Sequence, residues 1–486
     1  PSNIPEPIMS FRPHIASQSS LPPETIERFS EIVGEKYALT GDAMQPFLRE
    51  QRDLYQGRAA LVLKPGSTEE VAAILKLANE TKTPIVPQGG NTGLVGAQIS
   101  FDGGAVVVSM VRMNKIREVS AAGNYMICEA GVVLQNAQDE ALRHDRLFPL
   151  SLGAEGTCVI GGNLGSNAGG TGALAYGVAR DLVLGLEVVL ADGRIWHGLR
   201  KLKKDNTGYD LRHIFIGAEG TLGIITAAVL KLFPKPRAVE TAFVGLESPE
   251  DALAVLNLLQ SRAGNAVTGF EIMSRLGMEF DFRPLPGARD PLSEPHPWYA
   301  LIELSSPVTG GLREVLEHAL SEAAEKGILR DAVFAASEAQ RAAFWHLRTG
   351  LSETQKPEGG SIKHDVSVPV ADVPAFLAEA SAAVVELIPG ARPVPFGHMG
   401  DGNIHYNISQ PVGSDRAAFL ARWDEVNALV HKIVAKYGGS ISAEHGIGVM
   451  KRDLLPEVKD PVEMEMMRAL KRAFDPNNIL NPGKML

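Results

Sequence analysis

Two histidines, His398 and His405, flank a glycine-rich turn in PVPFGHMGDGNIHYNISQ, residues 393–410. The M-G-D-G-N stretch supplies the turn residues of a β-hairpin. A turn centred on Asp401 and Gly402 predicts that the two histidines lie directly opposite each other. Opposed residues of an antiparallel pair have Cβ atoms roughly 4.5–5.5 Å apart. Such a pair can bind a metal, relay a proton, or simply pack as two imidazoles.

A carboxylate that would complete a metal site lies in SISAEHGIG, where Glu444 precedes His445. Two histidines and one carboxylate leave coordination positions open, which is typical of a catalytic metal site. Adjacent side chains of an extended segment point to opposite sides. His445 is therefore predicted to act separately from the metal, and an imidazole can serve as a base near neutral pH. The alternatives are a hydrogen-bonded histidine pair near the surface and a His445 that only orients Glu444.

Three glycine-rich stretches, residues 86–96, 152–177 and 217–226, indicate a cofactor site. Glycine permits positive φ and close backbone approach, so such loops can cradle a pyrophosphate. The first stretch alone would equally suit a tight surface loop, but the second is longer and less polar than ordinary loops. No Walker A pattern occurs, and GTGALA at 170–175 lacks the preceding strand of a dinucleotide fingerprint.

Periodicity and turn signals predict the elements that position these residues. A strand and a helix that begins at Ser67 lead into the first glycine stretch, and residues 181–198 read as a hairpin with a D-G turn. Composition changes at residues 234–236, which predicts a domain boundary. Residues 240–390 then alternate strand-like and alanine-rich helical runs, which favours a separate α+β domain.

In their order and context, the glycine stretches resemble the flavin-binding half of the vanillyl-alcohol oxidase/PCMH superfamily. The resemblance to the superfamily extends over nearly the whole chain, from about residue 40 to the end. Within it, the pattern is closest to the FAD-linked D-2-hydroxyacid dehydrogenases, and among these to the enzymes for D-2-hydroxyglutarate. The resemblance implies an α+β fold with a PCMH-type FAD-binding domain of two α+β subdomains, residues 1–236. It also implies an α+β cap, substrate and metal-binding domain, 237–455, over the isoalloxazine, and a C-terminal segment, 456–486, that returns to the FAD domain.

The resemblance also implies which residues bind FAD. Some relatives attach FAD covalently through a histidine at the position of Asn91, and asparagine cannot form that bond, so non-covalent FAD is expected. The residues expected to bind FAD are Pro87, Gln88, Gly89, Gly90, Asn91, Thr92, Gly93, Leu94, Leu152, Gly153, Thr157, Gly161, Gly162, Gly165, Asn167, Gly169, Gly170, Tyr176, Gly177, Glu219, Gly220, Gly223, Ile224, Ile225 and Asn481.

The same resemblance gives roles to the histidine region and to residues 344–370. It implies a divalent metal on His398, His405 and Glu444, with zinc expected first and iron, manganese or cobalt as alternatives, and a catalytic base at His445. Arg348 offers a bidentate fork for a carboxylate, although a surface arginine on a helix is the plain alternative. The substrate-binding residues expected are Arg348, Ser352, Lys363, Asn407 and His445, with Ser352 standing where the hydroxyglutarate enzymes tend to have threonine.

The expected reaction is FAD- and metal-dependent oxidation of a D-2-hydroxy acid by hydride transfer to flavin N5. D-2-Hydroxyglutarate, giving 2-oxoglutarate, is favoured because Lys363 suits a second carboxylate; D-malate, D-lactate and glycolate are the alternatives. The expected electron acceptor is an electron-transfer flavoprotein or a quinone, rather than NAD or oxygen. A metal-dependent hydrolase and a non-redox FAD transferase are the alternatives from other classes.

Composition argues against several other classes of protein. A net charge of −10 argues against nucleic-acid binding. The two cysteines, Cys128 and Cys158, argue against a disulfide framework and favour a reducing compartment. No apolar run reaches the roughly 18 residues of a spanning helix, and the start lacks a signal-peptide pattern, so a cytoplasmic protein is expected. The oligomeric state, a homodimer included, and the origin of any residues before Met9 stay open.

Overall fold

The computed structural model describes residues 20–284 and 287–486, so the segment before Met9 lies outside the described residues. The described chain forms two compact units. We call residues 20–170, 177–235 and 444–486 the N/C unit, and residues 171–176 and 236–443 the central unit. The chain therefore passes from one unit to the other after Gly170, Tyr176, Lys235 and Ala443.

The secondary structure is numbered along the chain. The α-helices are α1 (Pro23–Val33), α2 (Gln45–Leu48), α3 (Thr68–Thr81), α4 (Leu134–Arg143), α5 (Ile160–Gly165), α6 (Ala173–Tyr176), α7 (Arg212–Phe215), α8 (Pro249–Ala263), α9 (Arg275–Phe282), α10 (Leu312–Glu325), α11 (Glu338–Gly350), α12 (Val373–Leu387), α13 (Arg416–Leu420), α14 (Trp423–Lys436), α15 (Leu455–Val458) and α16 (Pro461–Phe474). The strands are β1 (Ala38–Leu39), β2 (Leu61–Leu63), β3 (Ile85–Gln88), β4 (Val106–Ser109), β5 (Ile116–Ser120), β6 (Tyr125–Glu129), β7 (Arg146–Leu147), β8 (Val183–Val189), β9 (Ile195–Gly198), β10 (Ile224–Lys231), β11 (Phe233–Pro234), β12 (Ala238–Leu246), β13 (Val267–Ser274), β14 (Trp298–Ser306), β15 (Asp331–Phe334), β16 (Ser361–Ile362), β17 (Asp365–Ser367), β18 (Arg392–His398) and β19 (Asn403–Ser409).

Two main sheets build the N/C unit. The four-stranded sheet has the order β1-β2-β4-β3, with β2 and β3 parallel to β4 and with β1 antiparallel to β2. The five-stranded sheet has the order β5-β6-β10-β8-β9 and is antiparallel. A short sheet pairs β7 with β11. The predicted hairpin at 181–198 is confirmed as β8 and β9.

Helices α1 and α3 cover the four-stranded sheet. Phe29 of α1, Ile74 of α3 and Val106 of β4 are fully buried in one hydrophobic core. The predicted start of α3 is confirmed, because the Ser67 hydroxyl accepts a hydrogen bond from the Glu70 N–H at 3.2 Å. Such a cap satisfies one of the backbone donors that the first helical turn leaves unpaired.

One antiparallel sheet organises the central unit. Its order is β15-β12-β14-β13-β18-β19-β16, and β17 also pairs with β19. The strand and helix alternation seen in the sequence therefore does not produce parallel βαβ units. The antiparallel sheet, together with the helices packed on it, is an α+β arrangement, as predicted.

Helices lie on both faces of the central sheet. Successive residues of a strand point to opposite faces, so neighbouring residues pack in different cores. Val244 of β12 packs in a core with α8, α10, α12 and α14, whereas its neighbour Phe243 packs in a second core with α9 and α11. Met273 and Phe396 share this second core. Helix α11 thereby lies on the sheet face formed by β13 and β18. No helix within residues 20–284 and 287–486 has the length and apolar character needed to cross a bilayer.

Candidate active site

The hairpin of the two histidines consists of β18 and β19, but its register differs from the prediction. His398 lies opposite Asn403, and His405 lies opposite Phe396. The predicted direct pairing of His398 with His405 is wrong by two residues. The connection contains four residues, 399–402, rather than the two of an Asp-Gly turn. The left-handed φ of +82° at Gly402 explains the glycine there, since a Cβ would also lie 2.1 Å from the Val368 carbonyl oxygen.

The two histidines nevertheless lie side by side. Only a slip of one residue exchanges the faces of a strand, and a slip of two residues leaves each side chain on its original face. The imidazoles of His398 and His405 are in edge contact, with ring centroids 5.6 Å apart and planes inclined by 74°. Asn407, two residues beyond His405 on β19, shares the same strand face and is buried.

A buried carboxylate, Glu271, holds one of the histidines. Glu271 lies on β13 directly opposite His398, and its Oε1 is 2.7 Å from His398 Nδ1. Its Oε2 accepts a hydrogen bond from Arg348 Nε at 2.5 Å. Burial alone would raise the pKa of this carboxyl group, but Arg348 and His398 lower it to about 2. Glu271 is therefore an ionised carboxylate inside the central unit, with one oxygen on each partner.

Arg348 is a buried residue rather than a surface arginine. It lies near the end of α11 and is 6% exposed. Its guanidinium lies over the ring of Phe396, 5.0 Å from the centroid, and the same ring is 5.1 Å from the His405 ring. These contacts exclude the alternative of a solvated helix-surface arginine.

Ser352 and Lys363, which were expected to bind the substrate together with Arg348, lie close to each other. Ser352 follows α11, and Lys363 lies between β16 and β17. Lys363 Nζ donates a hydrogen bond to the Ser352 carbonyl oxygen at 3.0 Å. Both residues are exposed, so Lys363 is a solvent-accessible cation in the segment that follows Arg348.

Glu444 and His445 are the first two residues after the central unit, which ends at Ala443. The Ala443 N–H, one residue earlier, donates to the Asp365 carbonyl oxygen at 3.3 Å. Ligand atoms of His398, His405 and Glu444 lie within 4.8 Å of one another, and the same holds for Asp365, Glu444 and His445. The first group has the two imidazoles and one carboxylate that suit a divalent ion with open positions.

The glycine stretches pack closely in the N/C unit. A Cβ on Gly90 would lie 2.2 Å from the Thr157 carbonyl oxygen, and one on Gly220 would lie 2.3 Å from Pro87 Cγ. Real Cβ atoms do not approach so closely, so the backbone itself is what packs at these points. Of the residues expected to bind FAD, Tyr176 belongs to the central unit and the others to the N/C unit.

Asn481 and Glu219 join the C-terminal segment to these loops. The Asn481 side chain donates to the Glu219 carbonyl oxygen at 2.8 Å and to the Ala97 carbonyl oxygen at 3.0 Å. The Glu219 N–H donates to the Gly165 carbonyl oxygen at 2.8 Å. Residues from four separate parts of the sequence that were expected at FAD are thus brought together in one unit.

Three amide oxygens in this region fit a ligand that carries hydrogen-bond donors. The side-chain oxygens of Gln88, Asn91 and Asn481 are buried and lack a hydrogen-bond partner among the residues that the structure describes. Buried polar atoms are normally hydrogen-bonded. The ring N–H and ribityl hydroxyls of FAD are donors of the kind that these oxygens need. The residues present therefore fit FAD.

Sequence reasoning missed Lys484, and it predicted Glu219 only as an FAD-binding residue, without its burial. Lys484, in the polar tail, donates to the Ile99 carbonyl oxygen at 2.7 Å, and burial lowers its pKa to about 7. Burial raises the pKa of Glu219, whose carboxyl group accepts from the Ile447 and Gly448 N–H groups at 2.6 and 2.8 Å. Glu271 was missed too, although an acidic residue inside the apolar strand GFEIMS could have marked it.

Comparison with known proteins identifies both parts of the chain. A family model described as "FAD binding domain" matches residues 59–198. A second one, "FAD linked oxidases, C-terminal domain", matches residues 235–485, which is more than half of the chain.

Curated relatives match nearly the whole chain. D-2-hydroxyglutarate dehydrogenase, mitochondrial, of Arabidopsis thaliana is 36% identical over 470 residues, 96% of this chain and 82% of the relative. D-2-hydroxyglutarate dehydrogenase of Stutzerimonas stutzeri is 37% identical over 469 residues, 95% of this chain and 99% of the relative. D-2-hydroxyglutarate–pyruvate transhydrogenase of Saccharomyces cerevisiae is 35% identical over 478 residues, 95% of this chain and 94% of the relative.

Solved structures agree with the predicted PCMH-type fold. p-Cresol methylhydroxylase with substrate bound superposes with a TM-score of 0.69 at 19% identity, over 95% of this chain and 96% of that one. An alkyldihydroxyacetonephosphate synthase gives a TM-score of 0.70 at 20% identity, over 96% of this chain and 86% of that one. The predicted α+β, PCMH-type fold is confirmed. The matches along the sequence show that the chain belongs to the family of FAD-linked oxidoreductases acting on CH–OH groups that contains the D-2-hydroxyglutarate dehydrogenases.

Proposed function

We propose that this protein oxidises D-2-hydroxyglutarate to 2-oxoglutarate, using non-covalently bound FAD and one divalent metal ion. The observation that carries the proposal is the match to D-2-hydroxyglutarate dehydrogenases over 95–96% of the chain. It is supported by a buried arginine and an exposed lysine in the segment expected to bind the second carboxylate.

The metal is proposed to bind His398, His405 and Glu444. The donor set supports this, because neutral imidazoles and a carboxylate suit zinc and its neighbours in the first transition row. Glu271 supports it as well, since metal-binding histidines commonly donate their second ring N–H to a carboxylate. When bound, a divalent ion would lower the pKa of the substrate hydroxyl and fix its orientation.

His445 is proposed to accept the hydroxyl proton of the substrate on its imidazole. Loss of that proton and of the C2 hydrogen as a hydride converts the alcohol to the 2-oxo acid. Bound FAD supplies the acceptor for the hydride, at N5 of its ring. Asn407, buried on the face of the two histidines, is proposed to donate a hydrogen bond to the substrate.

Arg348 and Lys363 are proposed to bind the carboxylate remote from the reacting carbon, with Ser352 beside them. These two cations favour a dicarboxylate over D-lactate or glycolate, which have no second carboxylate. D-malate is the competing dicarboxylate, and the distance between its two carboxylates is shorter than in D-2-hydroxyglutarate. Charge-assisted hydrogen bonds of this kind contribute about 1.5–3 kcal/mol each.

A Lys363→Ala substitution tests this role. We expect kcat/KM for D-2-hydroxyglutarate to fall by roughly 10- to 100-fold, because one charged hydrogen bond is lost. Turnover of D-lactate, which has no second carboxylate, should change little. Lys356→Ala is the matched control, since Lys356 is also exposed and forms an ion pair with Glu353. An equal loss on D-lactate would count against a role in selecting dicarboxylates.

The electron acceptor is proposed to be an electron-transfer flavoprotein or a quinone. The yeast relative is named as a transhydrogenase with pyruvate, so a second 2-oxo acid is a competing acceptor. Reoxidation of the reduced protein by pyruvate, by an electron-transfer flavoprotein or by a soluble quinone separates these acceptors.

Anaerobic flavin reduction tests the proposed function in one experiment. We expect D-2-hydroxyglutarate to bleach the flavin absorbance faster than D-malate, D-lactate, glycolate or the L-enantiomers. Metal analysis of the same sample should give one divalent ion per chain. A flavin that no 2-hydroxy acid bleaches would reject the proposal and favour a non-redox transferase.

Denaturation in trichloroacetic acid tests how FAD is held. We expect all of the flavin in the supernatant, because Asn91 offers no nucleophile for a covalent bond and its amide donates to the Pro46 and Arg49 carbonyl oxygens at 3.1 and 2.9 Å. Flavin absorbance in the washed precipitate would contradict non-covalent binding.

A further inference from the structure

We infer that Glu271 is a positioning residue that aligns the metal-binding end and the carboxylate-binding end of the site at the same time. One carboxylate touches both His398 and Arg348. The inference rests on the proposed metal site and extends it to a residue on a different strand, 127 positions earlier in the sequence than His398.

The strand register places Glu271 for this task. Glu271 and His398 are Cα partners across β13 and β18, so their side chains emerge on the same face of the sheet. Glu271 is 1% exposed. A carboxylate at this depth keeps its charge only if its oxygens are hydrogen-bonded and paired with a cation, and here each oxygen has one partner.

The contact with Glu271 determines the tautomer of His398. A carboxylate accepts hydrogen bonds and cannot donate them, so the ring nitrogen facing it, Nδ1, carries the hydrogen. The lone pair of the neutral ring is then on Nε2, which is the nitrogen that can bind a metal. The same bond restricts rotation of the ring, which a free histidine side chain would undergo.

The contact with Glu271 also orients Arg348. Its Nε–H is committed to Glu271, and Phe396 lies against the face of the guanidinium. A bidentate contact with a substrate carboxylate would therefore use the two terminal nitrogens of the guanidinium. Phe396 in turn contacts His405, so the four side chains around Glu271 form a closed set of contacts.

Glu271→Gln removes this double contact with little change in size. Glutamine has one acceptor oxygen, and its amide group would face a donor of either His398 or Arg348. We expect the affinity for zinc, measured by competition with a chromophoric chelator, to fall by about 10- to 100-fold. We also expect KM for D-2-hydroxyglutarate to rise more than KM for D-lactate, because Arg348 loses its support.

Glu303→Gln is the matched control. Glu303 lies on the neighbouring strand β14 and accepts hydrogen bonds from two residues of α11, Arg341 at 2.8 and 3.0 Å and Trp345 at 2.8 Å. It thus pairs with an arginine of the same helix, but among the described residues its hydrogen-bond partners include no histidine. The control should bind zinc like the wild type, even if its melting temperature falls.

The outcomes separate the two proposals. Wild-type zinc affinity in a folded Glu271→Gln protein would overturn the positioning role. If that variant does not fold, Glu271→Asp keeps the charge but shortens the side chain, and unchanged zinc affinity in it would overturn the role equally. A wild-type protein that binds no divalent metal would reject the proposed metal site, and this inference with it.

Discussion

Replacing His445 by alanine is expected to lower the rate of flavin reduction by D-2-hydroxyglutarate by about 10²- to 10⁴-fold, the usual contribution of a positioned general base. The proton of the substrate hydroxyl would have to leave to solvent as the hydride departs. We expect KM to change much less than kcat, because a base acts mainly in the transition state. Anaerobic stopped-flow spectroscopy of the flavin absorbance measures the step directly.

Two further measurements make the role of His445 specific. Added imidazole should restore part of the rate in His445→Ala, since a small free base can occupy the vacated position. His346→Ala is the control, because His346 is an exposed histidine on α11. A His445 variant with a normal reduction rate and an altered KM would show that the residue binds substrate without taking its proton.

Removal of the metal is expected to have the second large effect. Dialysis against a strong chelator should abolish bleaching by D-2-hydroxyglutarate while the spectrum of oxidised flavin remains. Lewis-acid stabilisation by a bound metal is worth several kcal/mol, so we expect a loss of at least about 10²-fold in rate. Addition of zinc, or of manganese or cobalt, should restore the reaction.

The substitution His405→Ala tests the site of the metal. The variant should show the same loss as the chelated protein, and added zinc should not restore it at concentrations that restore the wild type. His318→Ala is the control, since His318 is an exposed histidine on α10. Full activity of the metal-free wild type would instead assign the two imidazoles a role other than metal binding.

The sequence determined the features that depend on local chemistry. Alternation along β19 put His405 and Asn407 on one face, and the cap at Ser67 marked the start of α3. The glycine stretches marked the loops expected to bind the flavin. Glycine is required in them because backbone packed as closely as at Gly90 leaves no room for a side chain. The order of these stretches was sufficient to identify the family, which the comparisons confirm.

Pairing across strands was decided only by the tertiary structure. M-G-D-G-N suits both a two-residue and a four-residue connection, so the sequence could not choose the register that places Phe396 opposite His405. Nor could it find Glu271 next to His398 or the burial of Arg348, because these depend on β13 and α11 packing against β18. Periodicity determines which face a side chain occupies, but the folded sheet and its helices decide which distant residue meets it there.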